Sequence, residues 1–430
     1  MSNLHIVLAT PTPITSATSE ENLGIGYIAA YCRSKGVQVT IIDGWMENLT
    51  EEEIAKRIID CGDILFAGFS CYHLNMNIAF RIVETLRKNG YSAPLIAGGF
   101  GPTFSPKDFI LGGFDIVVLC EGEETVYSLC KYYHKNEIEL HDIPGICFKS
   151  TDGTIVSNNP KIIADVDALP FPSRDTMHLA LEGKTPVDVL SSRGCTGNCA
   201  FCSVVAFWKK GNGNKYRSRS ITDIVDELEE LVAKGAEFIK FVDDSFIDCS
   251  RDISWCQEFS EAIIKRNLKI RYRIMMRVNS VNKELLEHLC KSGMISMQLG
   301  IENFSPTALR RMGKSVGPDR NIEAMETVLE LQKKYTLFLQ IGFILFDHAT
   351  TLDELEINYE YLKKYSWAVN RGFTEMYAAC DTIYSNQLNE TQEAIPAAYG
   401  NFSYEIRDPK VRQVYNALKA WHVNYLALYH

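Results

Sequence analysis

Through the first 135 residues, short apolar runs alternate with stretches of helical periodicity. The apolar runs fall at 4–9, 38–43, 63–70, 94–97 and 115–120. They are continuous, as expected of parallel strands buried on both faces. Helical patterns lie between them at 22–34, 51–60 and 75–88, and Gly36 and Gly90 follow the first and last as stop signals. Five β-α units predict a doubly wound parallel sheet, a fold that takes ligands at the carboxyl ends of its strands. Residues 141–184 read as a linker, with a hairpin signal around Asp152-Gly153 and then an extended stretch set by Pro170 and Pro172. A second alternating series follows, with strands at 187–191, 238–243, 270–276, 296–301, 337–345 and 372–380. Ser220 offers a helix N-cap, and Ile221, Ile224, Leu228, Leu231 and Val232 form one apolar stripe before Gly235. Six such units fit a partial (β/α)6 barrel, whose active residues sit on the loops after the strands. The domains expected are 1–140, 141–184, 185–382 and a C-terminal region 383–430 without a readable motif.

Chemistry enters at the loop after residue 191. Cys195, Cys199 and Cys202 are spaced C-x3-C-x2-C. Thiolates at this spacing can each hold one iron of a [4Fe-4S] cube. Cys-rich runs that ligate such clusters usually supply four thiolates, so three point to an open iron position. The bland alternative is zinc, but structural zinc sites want four ligands, typically in paired knuckles. The next cysteines, Cys249 and Cys256, lie far downstream and form no such knuckle.

Composition narrows the remaining choices. A length of 430 residues suggests about two to three domains. The net charge of -10 argues against a nucleic-acid partner. No apolar stretch approaches the ~18 residues of a membrane span, and the chain enters its first strand without a signal sequence. Thirteen cysteines without a secretory context suit a reducing cytoplasm, with the ten outside the loop expected as small buried hydrophobes.

The cysteine loop, with Phe201 before its last cysteine, resembles the signature of the radical S-adenosylmethionine (SAM) enzymes. The run Asp243-Asp244-Ser245-Phe246 and the run Gly300-Ile301-Glu302 are similar to stretches of one large group within them. Polar groups suit the ligand: carboxylates for an amino group and ribose hydroxyls, a guanidinium for a carboxylate. By that resemblance Phe201, Asp243, Asp244, Arg277 and Glu302 belong to the SAM site, and Arg217 and Arg219 face either a ligand or the protein surface. Glu375 and Tyr377, on the sixth strand, are expected to shape a substrate pocket.

The N-terminal series resembles the cobalamin-binding domain of class B radical SAM enzymes. The matching runs hold Gly24, Ser70, Gly98, Gly99, Glu121, Gly122 and Glu123, which the resemblance assigns to the corrinoid. It departs in three places. There is no D-x-H-x-x-G run, which fits cobalamin bound without an axial histidine, and His73 is taken as incidental. Phe100-Gly101-Pro102-Thr103 stands where relatives often carry histidine, and Phe346-Asp347-His348-Ala349-Thr350 where they tend to carry Gly and Pro.

The resemblance implies a [4Fe-4S] cluster, SAM and cobalamin as cofactors. It also implies an electron donor such as flavodoxin or ferredoxin, and methylation of an unactivated carbon. The competing outcomes are a rearrangement, cyclisation or oxidation with cobalamin, a radical SAM enzyme with a vestigial N-terminal domain, or a non-catalytic metal- or corrinoid-binding module. The expected substrate is a small molecule, with a peptide as the alternative.

Overall fold

The computed structural model describes residues 4–12, 20–135, 137–211, 215–368, 374–397 and 401–429. The chain forms two compact units, Met1–Leu190 with Phe207–Phe238, and Ser191–Ala206 with Ile239–His430.

In the first unit the apolar runs become β1 (His5–Thr10), β2 (Gln38–Asp43), β3 (Ala67–Ser70), β4 (Leu95–Gly98) and β5 (Ile116–Val118). These five are parallel, and β1 pairs with both β2 and β3. The strand order therefore reverses between β1 and β3, which is the switch point where such sheets take ligands. The helix α1 (Leu23–Ser34) is capped by Asn22, whose side chain accepts from Ile25 N at 3.1 Å. The helix α2 (Glu51–Asp60) opens on a capping box between Thr50 and Glu53. The helix α3 (Met76–Lys88) has no side-chain cap and buries Met76, Ala79, Ile82, Val83 and Leu86 on one stripe. Burying a large aliphatic side chain stabilises by about 1.5–3 kcal/mol, so this helix is held by its face and not by its end.

The hairpin expected in the linker is instead part of this sheet. Its strands β6 (Ile146–Lys149) and β7 (Ile155–Ser157) extend the order to β2-β1-β3-β4-β5-β6-β7. β6 runs antiparallel to β5, with Ile116 opposite Phe148 and Val118 opposite Ile146. The cause is the exposed edge that β5 would otherwise present, which the buried Ile146, Cys147 and Phe148 cover. The rest of the linker is clamped too. Arg174 is almost fully buried and bonds Glu21 at 2.7 Å and Glu227 at 2.8 Å. Ser173 N donates to Gly26 O at 3.0 Å, and a Cβ on Gly26 would lie 2.9 Å from Ser173 O. Gly26 thus admits the linker backbone against α1.

The second series gives β8 (Val187–Val189), β9 (Phe238–Phe241), β10 (Arg271–Arg277), β11 (Met294–Glu302) and β12 (Phe338–Phe343). Neighbouring strands run in the order β12-β11-β10-β9, with β10, β11 and β12 mutually parallel. One face of these strands is fully packed: Tyr272, Ile274 and Met276, then Met297, Leu299 and Ile301, then Leu339, Ile341 and Phe343. The other face carries part-exposed Arg273, Met275, Arg277, Gln298, Gly300, Glu302, Gln340 and Gly342. The period of two along a strand produces both faces from one sequence. The sixth strand expected at 372–380 begins outside the described residues. Its described part makes only single bridges, Phe346 with Glu375 and Ala378 with Phe402.

Candidate active site

The cysteine loop is fixed by its backbone before any ligand is considered. Asp243, fully buried, accepts from Ser191 N at 2.7 Å, from Ser192 N at 3.1 Å and from the Ser191 hydroxyl, and pairs with Arg251 at 3.3 Å. Asp244 accepts from Gly194 N at 3.0 Å. Asp248 accepts from Thr196 N at 3.0 Å and from the Thr196 hydroxyl. Arg277 closes this group, its Nη2 donating at 2.9 Å to both Thr196 Oγ1 and Asp248 Oδ1. Burial alone would raise the Asp248 carboxyl. The Thr196 hydrogen bonds and the Arg277 charge outweigh it and hold the pKa below its ordinary value.

The far end of the loop rests on the end of one helix and the start of another. Ala200 N donates to Met312 O at 2.8 Å, and Tyr384 N donates to Ala200 O at 2.8 Å. Gly313 has φ +69°, and a Cβ there would lie 2.8 Å from Asn198 O. Tyr384 Oη in turn meets His348 Nδ1 at 3.0 Å and accepts from His348 N at 3.2 Å. The Asp347-His348 departure from the family pattern is therefore a brace behind the loop. Phe201 packs in the same apolar cluster as Ala200, Met312 and Tyr384.

Cys195, Cys199 and Cys202 are all part-exposed. Burial pushes all three thiols up, Cys195 to about 12. The Gly197 N–H, 3.2 Å from Cys195 Sγ, and the cations Arg277 and Lys314 pull in the other direction. Metal must displace the thiol protons, so binding and deprotonation are linked. Among the described residues no three His, Cys, Asp or Glu side chains converge on one ion position. A cube does not ask for that, since each thiolate takes its own iron, and the residues present fit it.

Glu302 ends β11 with φ +65°, an uncommon conformation for a side-chain-bearing residue. Its carboxylate lies over two glycines: a Cβ on Gly300 would meet Oε1 at 2.8 Å, and one on Gly342 would meet Oε2 at 3.2 Å. Lys314, almost fully buried, donates to Gly300 O at 3.0 Å and stands 3.5 Å from Glu302 Oε1. Glu302, Lys314, Arg277 and the loop thus form one polar group of the second unit, which suits an amino-acid zwitterion. Sequence reasoning passed over Asp248, Lys314, Arg251 and Gly313. Only the first carried a signal, as a third carboxylate in the run Asp243-Asp244-Ser245-Phe246-Ile247-Asp248.

In the first unit, Ser70 ends β3 beside Gly98, which ends β4. Ser70 Oγ accepts from Asn22 Nδ2 at 3.0 Å. Gly99 has φ +97°, and a Cβ there would lie 2.9 Å from Cys71 O. These three stand at strand ends, where a planar ligand can approach bare backbone. Gly24 lies in the first turn of α1, a Cβ there meeting only Asn22 Oδ1 at 3.1 Å. Glu121 is occupied differently: its carboxylate accepts from Arg217 at 2.7 and 3.0 Å and from Ile163 N at 2.7 Å. A Cβ on Gly122 would meet Ile28 at 2.8 Å, and Glu123 is buried at the start of α4 (Glu123–Lys135). Arg219 is spent on Glu227 and Asp223 at 2.5 Å each. His73 stacks on Phe104 with its Nε2 3.5 Å from Ser105 Oγ, and burial lowers its pKa. Tyr377 is 59% exposed, and Glu375 accepts from Tyr415 at 2.5 Å.

A doubly wound domain followed by a β/α sheet with a three-cysteine loop defines the class. The radical SAM superfamily profile matches residues 189–355, and the B12 binding domain profile matches 12–129. The chain is 30% identical over 378 residues to the uncharacterized methyltransferase PH0819 of Pyrococcus horikoshii, covering 85% of this chain and 79% of the relative. It is 27% identical to the 4'-phospho-dehydrooxetanocin synthase of Priestia megaterium, covering 84% of this chain but 51% of that one. Among solved structures, the cobalamin-dependent SAM radical enzyme OxsB superposes with TM-score 0.85 at 22% identity, over 97% of this chain and 66% of the other. The methyltransferase TsrM of Kitasatospora setae superposes with TM-score 0.70 at 16% identity, over 85% of this chain and 70% of the other. The chain belongs to the cobalamin-dependent radical SAM enzymes, and its cofactors are a [4Fe-4S] cluster, SAM and cobalamin. Among the described residues no helix is long and apolar enough to cross a membrane.

Proposed function

We propose that this chain is a methyltransferase that transfers a methyl group to an unactivated carbon of a small metabolite or natural-product intermediate. The observation that carries the reading is the likeness to a relative named as a methyltransferase over 85% of the chain. The cytidylyl-2-hydroxyethylphosphonate methyltransferase of Streptomyces wedmorensis, 23% identical over 433 residues, supports it. When bound, the reduced cluster and SAM supply a 5'-deoxyadenosyl radical for hydrogen abstraction, and the corrinoid supplies a transferable methyl group.

The chain's own residues have separate tasks in this reading. Cys195, Cys199 and Cys202 hold three irons. Asp243, Asp248 and Arg277 keep the loop rigid, with Asp244 beside Gly194 at its entry. Glu302 and Lys314 receive the amino-acid and ribose end of SAM. Ser70, Gly98 and Gly99 present backbone to the corrinoid. Hydrogen abstraction needs no acid-base pair, so none is assigned. A low-potential electron carrier such as flavodoxin or ferredoxin completes the set. A second reading, cyclisation or rearrangement without methyl transfer, draws on the anaerobic magnesium-protoporphyrin IX monomethyl ester cyclase of Cereibacter sphaeroides, 24% identical over 403 residues.

The test begins with anaerobic protein made with cobalamin supplied. Its absorption spectrum and its iron, sulfide and cobalt content are measured. About four irons per chain with a base-off corrinoid band supports the two-cofactor enzyme. Deuterated-methyl SAM, with mass spectrometry of the products, then separates methyl transfer from cyclisation. Iron without cobalt, or zinc in place of iron, overturns the reading.

A further inference from the structure

Below the cysteine loop, the part-exposed face of the second unit's sheet carries a polar layer that the reading above does not use. Arg273 on β10 donates from Nη2 to Gln298 Oε1 on β11 and to Gln340 Oε1 on β12, at 2.8 Å each. Gln298 and Gln340 stand directly opposite each other in the strand register. The layer lies four residues before Arg277 and Glu302 on the same strands, roughly 13 Å deeper at the usual strand rise.

Two features of this layer bear on what it can bind, the first of them shared with Arg174, Arg217 and Arg277. Arg273 Nε is buried without a hydrogen-bond partner. Among the described residues the guanidinium also has only neutral partners, two amide oxygens, and makes no ion pair. Amide orientation is dictated by the cation: each glutamine turns its oxygen to Arg273, so each –NH2 group faces away from it. The layer is therefore rich in donors, and among the described residues no carboxylate pairs with its cation. An unsatisfied buried donor costs about 1–3 kcal/mol. Between this layer and Glu302, β11 and β12 carry Gly300 and Gly342 on this face, under the Glu302 carboxylate, while β10 carries Met275.

We infer that Arg273, Gln298 and Gln340 form an oxyanion-binding subsite for a carboxylate or phosphate group of the substrate. The guanidinium N–H groups not spent on the glutamines and the two amide –NH2 groups are the donors that either group would take. The inference rests on a small-molecule substrate, and it names that molecule's anionic end. Its chemistry needs no turnover, so it stands or falls apart from methyl transfer.

The experiment uses cluster-reconstituted protein under anaerobic conditions. Inorganic phosphate, acetate and chloride are titrated at matched ionic strength and binding is followed by calorimetry. Phosphate or acetate should bind saturably where chloride does not, and the tighter of the two identifies the group. Arg273→Met should weaken that binding at least tenfold with iron content unchanged. If Arg273→Met does not fold, Arg273→Lys keeps the charge and loses the fixed donor geometry of the guanidinium, and it should weaken binding several-fold. Binding no stronger than chloride's, or unchanged in the variant that folds, overturns the subsite. The iron, cobalt and product measurements report separately on the enzyme's class.

Discussion

Replacing Gly313 by alanine tests whether the cysteine loop is held by close backbone packing. Three costs add at this position. The residue sits at φ +69°, a left-handed conformation that costs an L-residue roughly 1–2 kcal/mol. The new Cβ would lie 2.8 Å from Asn198 O and 3.2 Å from Ala200 N. Both are backbone atoms, which cannot swing aside as a flexible side chain can, and overpacking of this kind costs about 1–3 kcal/mol. Any relaxation stretches the 2.8 Å hydrogen bond from Ala200 N to Met312 O, worth about 0.5–1.5 kcal/mol. The sum is about 2.5–6.5 kcal/mol, with part released by moving the segment that carries Cys199. Gly36 supplies the control. It has φ +83° with nothing within 4 Å of its Cβ position, so Gly36→Ala should show only the conformational cost of roughly 1–2 kcal/mol. Urea unfolding midpoints and iron content after reconstitution would be compared. Gly313→Ala should be the less stable by about 2 kcal/mol or more and should lose iron, while Gly36→Ala keeps it. Equal destabilisation with full iron in both would refute the claim that the loop depends on contact at Gly313.

Removing Arg251 leaves Asp243 buried without its cation, so Arg251→Met should destabilise by about 3–5 kcal/mol; a urea midpoint within error of the native one would contradict this. Glu302→Gln keeps shape and removes charge. Equilibrium dialysis should show SAM bound about tenfold more weakly, the loss of one charge-assisted hydrogen bond, with iron unchanged; equal affinity would remove Glu302 from the SAM site. His5, His73 and His348 are all lowered below the ordinary imidazole value, with burial the largest cause. Each protonates more readily when unfolded, so their stabilising contribution is complete above about pH 6.5 and is lost as pH falls through the folded values. The urea midpoint should therefore drop between about pH 7.5 and 5.5, and a flat profile would show that these rings are not neutral in the fold.

The N-terminal sheet was legible because parallel strands buried on both faces leave unbroken apolar runs, and β2 and α2 carry the bounds the pattern predicts. The hairpin was legible as a hairpin but not as sheet. Its pairing with β5 is a contact across the chain, and no local periodicity records it. The sixth barrel strand shows the converse. Met376 and Ala378 are buried while Glu375 and Tyr377 are exposed, the alternation of a strand, yet the described residues there make single bridges and no ladder.

The site divides in the same way, between residues that spacing identifies and residues that only burial can sort. Three cysteines in eight positions announce their chemistry in one dimension. Carboxylates do not. Asp243, Asp248, Glu121 and Glu302 look alike in the sequence, but three of them are committed to protein donors. Asp243 and Asp248 are tied to backbone N–H groups of the loop, and Glu121 to Arg217 and Ile163 N. Glu302 alone of these four lies over glycines, with a buried lysine beside it instead of a ring of backbone donors. A committed carboxylate sets where a loop sits, and an uncommitted one can take part in what binds there. Arg277 and Arg273 differ by the same criterion. The first is paired with Asp248, and the second, among the described residues, holds neutral amides and no carboxylate. The residues left with unused capacity, Glu302 and Arg273, face the same side of the sheet, one at the strand end and one deeper. That face is where the chain has retained binding capacity beyond what its own fold requires.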